Sequence, residues 1–445
     1  MKDKQVVVVG LGTSGIAACR LLAARGARVV ATDAKPRDRV SPDVLALGAQ
    51  DAEGQRISIV LGGHADAKLE SADLIVVSPG VPMFAELAAA EKTGVRIWGE
   101  VELAVQALAK PAPVVAIGGT NGKSTTTSLV GELLARSGKR TFVGGNLGEP
   151  LAAHADEPFD AVVLEVSSFQ MERVEAFRPK VSVLLNVTPD HLDRYPSEQA
   201  YADAKGNAFV RQTADDVAVV PAGDDVCLRQ AQRGQARIIT FGEGAADVSV
   251  QRDAIVDGAT VYPRAEIRLQ GGHNALNVAA ALAAVRPFGI SPDVVREVLA
   301  TFEGLPHRMA FVRDRHGVRF YDDSKGTNVG ASVTAVRGIR EDKVVLIAGG
   351  RDKGGSYGPL VDALRERGRA AVLIGEAKEL IEHAIGSTIP VRTAASMKEA
   401  VALSAELARP GDAVLLSPAC SSFDMFRDYK DRGDAFVHAV MELPE

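Results

Sequence analysis

Val114-Val115-Ala116-Ile117-Gly118-Gly119-Thr120-Asn121-Gly122-Lys123-Ser124-Thr125 reads as a buried strand that turns through glycines into a helix continuing to Ser137. An unbroken apolar run of this length suits a strand covered on both faces. Glycines allow the sharp turn, and successive N–H groups of such a turn can surround an anion. Lys123 is placed to reach the β- and γ-phosphates of a nucleotide, and the Ser124 hydroxyl suits Mg2+. Phosphoryl transfer needs mostly positioning and charge stabilisation, and these are the parts that supply them. The spacing departs from the usual P-loop, since three residues and not four separate Gly118 from Gly122. Gly118, Gly119, Thr120, Asn121, Gly122, Lys123, Ser124 and Thr125 form the candidate ATP loop.

A second glycine turn, Gly10-Leu11-Gly12-Thr13-Ser14-Gly15, follows a strand at Gln5–Val9 and opens a helix at Ile16–Arg25. A helix N-terminus there offers N–H groups and a partial positive charge to a phosphate. The next strand, Ala27–Ala31, leads to Asp33, eighteen residues after Gly15, where a Rossmann fold carries a ribose-binding carboxylate. Ser78-Pro79-Gly80-Val81 follows another strand, Asp73–Val77, and can face the same crevice. Taken alone, these residues fit an NAD-dependent oxidoreductase, a ligand-free turn, or a site for another nucleotide. An oxidoreductase has no use for Lys123 and Ser124. A simple kinase or GTPase has none for Gly10–Gly15. A ligase that takes one nucleotide-bearing substrate together with ATP uses both loops.

Short Val/Ile/Leu runs alternate with Ala/Leu-rich helical stretches along most of the chain, as at Ala161–Val166, Val181–Asn186, Lys343–Ala348, Ala371–Ile374 and Ala413–Ser417. That alternation predicts α/β layers with right-handed crossovers. At 445 residues the chain has room for about three domains. Breaks near Trp98–Glu102 and Phe302–Pro306 divide it into 1–101, 102–304 and 305–445. The expected folds are a Rossmann-like N-terminal domain, a P-loop ATPase central domain with a mostly parallel sheet, and a Rossmann-like C-terminal domain. Asp247–Leu269 alternates like a small antiparallel patch.

Composition narrows the class. Lys plus Arg is 51 and Asp plus Glu is 57, a net charge of −6, which speaks against a protein that coats nucleic acid. No apolar run approaches the ~20 residues that span a bilayer, and the first is too short for a signal segment. The expectation is a cytoplasmic protein with no membrane or nucleic-acid partner, and a monomer. Cys19, Cys227 and Cys420 are few, odd in number and far apart, with no CxxC or Cys/His metal spacing, so a disulfide framework is not expected, and Cys420 reads as a small buried core residue rather than a nucleophile.

Gly118–Thr125, Leu164-Glu165-Val166-Ser167-Ser168-Phe169-Gln170, Asn186-Val187-Thr188-Pro189-Asp190-His191-Leu192-Asp193-Arg194 and His273-Asn274-Ala275-Leu276-Asn277 together resemble the Mur ligases. These are ATP-dependent amide-forming enzymes of peptidoglycan synthesis, and folylpolyglutamate synthetases share their ATPase core. The N-terminal GxGxxG, Asp322-Asp323-Ser324-Lys325-Gly326-Thr327-Asn328 and Leu416-Ser417-Pro418-Ala419-Cys420-Ser421-Ser422-Phe423-Asp424 narrow the likeness to the branch that adds D-glutamate. The alternatives are another Mur or folate-type ligase, an oxidoreductase, or a nucleotide sensor.

The resemblance implies two small-molecule substrates, UDP-N-acetylmuramoyl-L-alanine and D-glutamate, besides ATP and Mg2+. It implies that Lys123, Glu165, His191 and Lys205 are catalytic, and that Ser124, Glu165, His191 and Lys205 hold the metal. Lys205 lies on an expected helix, Glu198–Phe209, and a lysine cation cannot ligate Mg2+. The resemblance makes it a carbamate, an anion with oxygen donors. Asn277 is placed near adenine, Arg308 toward the ATP phosphates and Asp323 on the ribose. Asn146 is placed on the substrate side of the ATP site, against the rival reading of a turn asparagine with positive φ. Lys325, Thr327, Lys353, Ser422 and Phe423 are placed around substrate and D-glutamate. Gly12, Thr13, Ser14, Asp33, Lys35, Ser78, Pro79 and Gly80 form the uridine-diphosphate pocket. Ala34-Lys35 stands where the family pattern has Thr-Arg, so a point charge replaces a planar fork, and Gly118 stands where Thr is common. ATP contacts on both sides of Glu303–Pro306 would make domain closure part of turnover.

Overall fold

The computed structural model describes residues 1–48, 57–191, 194–269, 271–354 and 356–444. Three sheets organise it. The first contains β1 (Gln5–Val9), β2 (Arg28–Asp33), β3 (Ile57–Leu61), β4 (Leu74–Val77) and β5 (Ile97–Gly99), in the order β3-β2-β1-β4-β5, all parallel. Val6 to Val9 are fully buried because both faces of β1 are covered. The order reverses between β1 and β4, and parallel sheets bind ligands at such a point, outside the carboxyl ends of the strands.

The central sheet contains β6 (Val114–Gly118), β7 (Thr141–Gly145), β8 (Ala161–Glu165), β9 (Val181–Leu184), β10 (Val217–Pro221), β11 (Arg237–Glu243), β12 (Val248–Val250), β13 (Ala254–Asp257) and β14 (Thr260–Pro263). Its order is β14-β13-β12-β11-β10-β9-β6-β8-β7. Only the β12-β13-β14 end is antiparallel, which is the patch expected from Asp247–Leu269. β9 stops at Leu184, two residues before its expected end. Leu185 N–H instead bonds Gly118 O, and Asn186 turns to hold the glycine loop.

The third sheet contains β15 (Ala310–Arg315), β16 (Val318–Asp322), β17 (Val344–Gly349), β18 (Gly368–Ile374), β19 (Val391–Thr393) and β20 (Ala413–Leu416), in the order β15-β16-β20-β17-β18-β19. Only the β15–β16 pair is antiparallel. Helices cover both faces, with separate apolar cores around Leu346–Leu360–Leu415 and Ile347–Val401–Phe436.

By compactness the chain divides into two units. Met1–Val187, Ala202–Ile267 and Leu276–Thr301 form one, and Thr188–Tyr201, Arg268–Ala275 and Phe302–Glu445 the other. The first unit therefore includes two sheets. The helix Glu100–Gln106 explains why. The buried Glu102 carboxylate accepts the N–H groups of Glu175, Ala176 and Phe177, and Glu100 accepts that of Ala152. One continuous apolar core runs from Val6 through Leu103 to Leu164.

Candidate active site

The glycine loop leaves β6 and enters the helix Lys123–Arg136. Gly119 (φ +141°) and Gly122 (φ +87°) hold backbone conformations that disfavour a side chain, and a Cβ on Gly122 would also run into Asn277 Oδ1. Asn277 is thus brought against the loop from the helix Gly272–Val285. Asn186 pins the turn. Its Oδ1 accepts Asn121 N–H (2.9 Å) and Thr120 N–H (3.2 Å), while its Nδ2 donates to Asn121 O (3.1 Å). Two N–H groups of the expected anion nest are therefore engaged inside the protein. Lys123 Nζ folds over the loop and donates to Gly119 O (2.9 Å) and Thr120 O (2.8 Å). Ser124 is buried at the helix start.

Lys205 is 5% exposed, and its Nζ donates to the same Gly119 carbonyl at 2.8 Å. Glu165 is buried at the end of β8, in register with Ile117 and so beside the root of the loop. Its Oε1 accepts Asn146 Nδ2 at 2.8 Å, and its backbone oxygen accepts Asn146 N–H. Asn146 is not a positive-φ turn residue. Its neighbour Gly145 (φ +97°) takes that role. Lys123, Ser124, Glu165, Lys205, Asn146 and Asn277 thus lie within one unit around one loop.

In the same unit the first glycine turn is closed on itself. Ser78 Oγ donates to Gly10 O (2.6 Å), and a Cβ on Gly15 would overlap that carbonyl, so only glycine fits. Asp33 Oδ2 accepts Leu11 N–H (2.8 Å) and Oδ1 accepts Lys35 N–H (2.9 Å). Gly12, Thr13, Gly80 and Lys35 are exposed, and Ser14, Ser78 and Pro79 half-buried, around this turn.

The second unit carries the remaining candidates. His191 sits at φ +56°, and its ring lies 6.3 Å from Tyr201. The adjoining Leu192 and Asp193 of that motif lie outside the described residues. Asp190 is shared by Lys353 (3.7 Å) and Asn328 Nδ2 (3.2 Å). Asp323 is buried. Its Oδ2 accepts Ser417 Oγ at 2.7 Å, and burial raises its pKa to about 7 despite the nearby Arg308. Lys325 Nζ stands 4.1 Å over the Tyr429 ring. Thr327 N–H donates to Lys325 O (2.8 Å), Ser422 is buried, and Phe423 is 68% exposed. Arg432, missed by sequence reasoning, is 1% exposed, with hydrogen bonds to Ser324 Oγ, Ser324 O and Cys420 O. It ties the turn before Lys325 to the turn before Ser422. Its neighbours Lys430, Asp431 and Asp434 are polar, so nothing local in the sequence marks it as buried. Asn186 had a stronger signal, since it opens the Asn186–Arg194 run that carries the family resemblance.

Among the described residues no helix is long and apolar enough to cross a membrane, and no group of three or more His, Cys, Asp or Glu side chains is placed to hold a metal. All three cysteines are free and buried, Cys420 as expected.

Three family models match in chain order. They are a Mur ligase MurD-like N-terminal domain over residues 4–99, a Mur ligase middle domain over 117–285 and a Mur ligase glutamate ligase domain over 307–420. UDP-N-acetylmuramoylalanine–D-glutamate ligases of Trichlorobacter lovleyi and Pelobacter propionicus are 46% and 45% identical, over the full length of this chain and of each relative. Among solved structures, the UDP-N-acetylmuramate-alanine ligase of Thermotoga maritima shares the fold at a TM-score of 0.60 and 19% identity, covering 98% of this chain and 99% of that one. The folylpolyglutamate synthase of Mycobacterium tuberculosis does so at 0.60 and 18%, covering 72% and 90%. With both glycine turns, the loop-bound lysines and three α/β domains in this order, the chain belongs to the Mur ligase family, in its UDP-N-acetylmuramoylalanine–D-glutamate ligase branch.

Proposed function

We propose that this chain joins D-glutamate to UDP-N-acetylmuramoyl-L-alanine, with ATP converted to ADP and phosphate, as a cytoplasmic monomer. The observation that carries this reading is the end-to-end likeness to D-glutamate ligases over a chain that gathers Lys123, Glu165 and Lys205 around one loop. A carboxylate is a poor acyl donor. Phosphorylation by ATP gives it a leaving group, the amine of D-glutamate attacks the acyl phosphate, and the tetrahedral intermediate expels phosphate. Lys123 neutralises charge on the transferred group, and the Gly118–Thr125 backbone and Asn277 position the nucleotide. Arg308 and Asp323 contribute to nucleotide binding from the C-terminal sequence. Lys325, Thr327, Lys353, Ser422 and Phe423 serve the amino-acid end. Thr13, Ser14, Asp33, Lys35 and the Ser78–Gly80 turn serve the uridine diphosphate. We place the domain limits after residues 101 and 304.

Mg2+ usually takes one or two protein carboxylates plus substrate phosphates, and Glu165, buried at the end of β8 in register with Ile117, is a carboxylate of that kind. Ser124, Glu165, His191 and a carbamylated Lys205 would hold it. The ion would supply charge neutralisation on the phosphates. An unmodified Lys205 does not fit as a ligand, and the crowding of two ammonium groups on Gly119 O favours converting one to an anion.

A phosphate-release assay tests the reading. ADP formation should require both UDP-N-acetylmuramoyl-L-alanine and D-glutamate. Dependence on L-lysine, diaminopimelate or L-alanine instead would move the chain to another branch. Oxidation of NADH without ADP formation would overturn it.

A further inference from the structure

Beyond the carboxyl ends of β3 and β4 lies a pair of rings that the roles above leave unused. The turn Gly62-Gly63-His64 follows β3 and is stitched to the end of β2. Gly62 N–H donates to Asp33 O (3.1 Å) and Lys35 O (3.0 Å), and Gly63 N–H reaches Asp33 O (3.4 Å). One side of the turn is open, since a Cβ on either glycine would meet nothing within 4 Å. The His64 ring stacks on Phe84, which precedes the helix Ala85–Lys92, at 4.3 Å between centroids and 24° between planes. The stack therefore reaches from the β3 side to the β4 side of the point where the strand order reverses.

Thr32 sets the tautomer of this histidine. Its buried hydroxyl donates to Gly63 O (3.2 Å) and also lies 3.0 Å from His64 Nδ1. A hydroxyl has one proton to give. With that proton on Gly63 O, His64 must donate from Nδ1, which leaves a lone pair on Nε2. Burial lowers the His64 pKa and outweighs the pull of Glu86 and Asp33, so the ring is neutral at pH 7. Among the described residues Nε2 has no hydrogen-bond partner. Asp33, by contrast, spends an oxygen on each of two loops, on Leu11 and Lys35.

A fixed acceptor beside a nucleotide base distinguishes pyrimidines. Uracil presents a ring N3–H donor, whereas cytosine presents a bare N3 that would face the imidazole lone pair. We infer that His64, oriented by Thr32 and backed by Phe84, is a specificity-determining residue that accepts the N3–H of a uracil base. This inference rests on the first domain being the uridine-diphosphate site, and deepens it.

Calorimetric titration of the full chain with UDP and with CDP tests it. The unmodified protein should bind UDP at least about tenfold tighter, the value of one well-made hydrogen bond against one lost and left facing a like partner. His64→Ala should bring UDP close to CDP. Thr32→Val, which removes the tautomer lock, should weaken UDP in the same direction. In the phosphate-release assay both variants should raise KM for the nucleotide-sugar substrate and leave KM for ATP and D-glutamate unchanged, a split that a folding defect does not produce. A UDP-to-CDP ratio unaltered in His64→Ala, or equal affinities in the unmodified protein, overturns the inference while leaving the domain reading intact. Failure of the unmodified protein to bind UDP at all is a separate result, which removes the domain reading and this inference with it.

Discussion

Lys123 and Lys205 donate to one acceptor, the carbonyl oxygen of Gly119, at 2.9 and 2.8 Å. The two lysines come from a helix that opens at the loop and from a segment some eighty residues later, and tertiary packing alone brings them together. Two unit charges 4 Å apart interact by ~4 kcal/mol at an effective dielectric near 20. Such a pair is most stable with an anion beside it. The loop is thereby built to receive negative charge even though Asn186 occupies two of its N–H groups.

Replacing Lys205 should expose its role. Lys205→Met is expected to lower kcat by at least about 10²-fold, the scale of losing a preorganised charged group at a transition state. Labelling the unmodified protein with 13C-bicarbonate should give a carbamate NMR signal that the variant lacks. Full turnover in Lys205→Met would remove Lys205 from the mechanism.

Asn186 should matter for the loop and not for the sheet. Asn186→Ala leaves Thr120 and Asn121 N–H without their side-chain acceptor, at a cost of about 1–3 kcal/mol. The expected readouts are a lower melting temperature and a raised KM for ATP. Asn186→Asp, which keeps the acceptor and loses the donor to Asn121 O, should fall between the two.

Gly122 combines a left-handed backbone with contact to Asn277. Gly122→Ala should cost about 1–3 kcal/mol in denaturant melts and abolish most activity, because a strained conformation and a collision arise at one atom. Gly12, with nothing within 4 Å of its would-be Cβ and φ in the ordinary region, should tolerate Ala in the same melts.

Glu100 predicts a slope of stability with pH. Burial raises its pKa from 4.5 to about 7, and Ala152 N–H offsets only part of that. The folded protein thus holds a proton that the unfolded chain releases between those values. Stability should fall as pH rises from about 4.5 to about 7 and then level off, by up to about 3 kcal/mol for this group. Glu100→Gln, neutral at every pH, should flatten that part of the profile in thermal melts at pH 5 and pH 8. An unchanged slope would assign the dependence elsewhere, with the buried Asp323 as the next group to test.

The thiols should be silent. Burial pushes Cys19 up to about 12 and Cys420 up to about 11, and Cys227 upward as well. A thiolate is the reactive form. A disulfide-exchange reagent at pH 7.5 should titrate no thiol in the folded protein and all of them after denaturation.

Much of the site was legible because its residues are local in sequence. Gly118–Ser124 and Gly10–Gly15 each join a strand to a helix, so the backbone torsions and the ligand class are written in one short run. Asn186 was legible only as part of a motif, and Arg432 and His64 were not legible as functional at all. Each acts through a partner far along the chain, Asn186 through Thr120 and Asn121, Arg432 through Ser324 and Cys420, His64 through Thr32 and Phe84. Single-residue chemistry gives the same prior for an arginine in solvent and one that is 1% exposed.

Strand–helix alternation, the two glycine turns and the order of the motifs were determined by the amino-acid sequence by itself, because periodicity and glycine torsions depend only on neighbours. Tertiary structure alone decided where Lys205 points, that Asn146 serves Glu165 and not a turn, and that the helix Glu100–Gln106 welds two sheets into one unit. These depend on burial, and burial sets the cost of a charge and the worth of a hydrogen bond only once distant segments have closed around it.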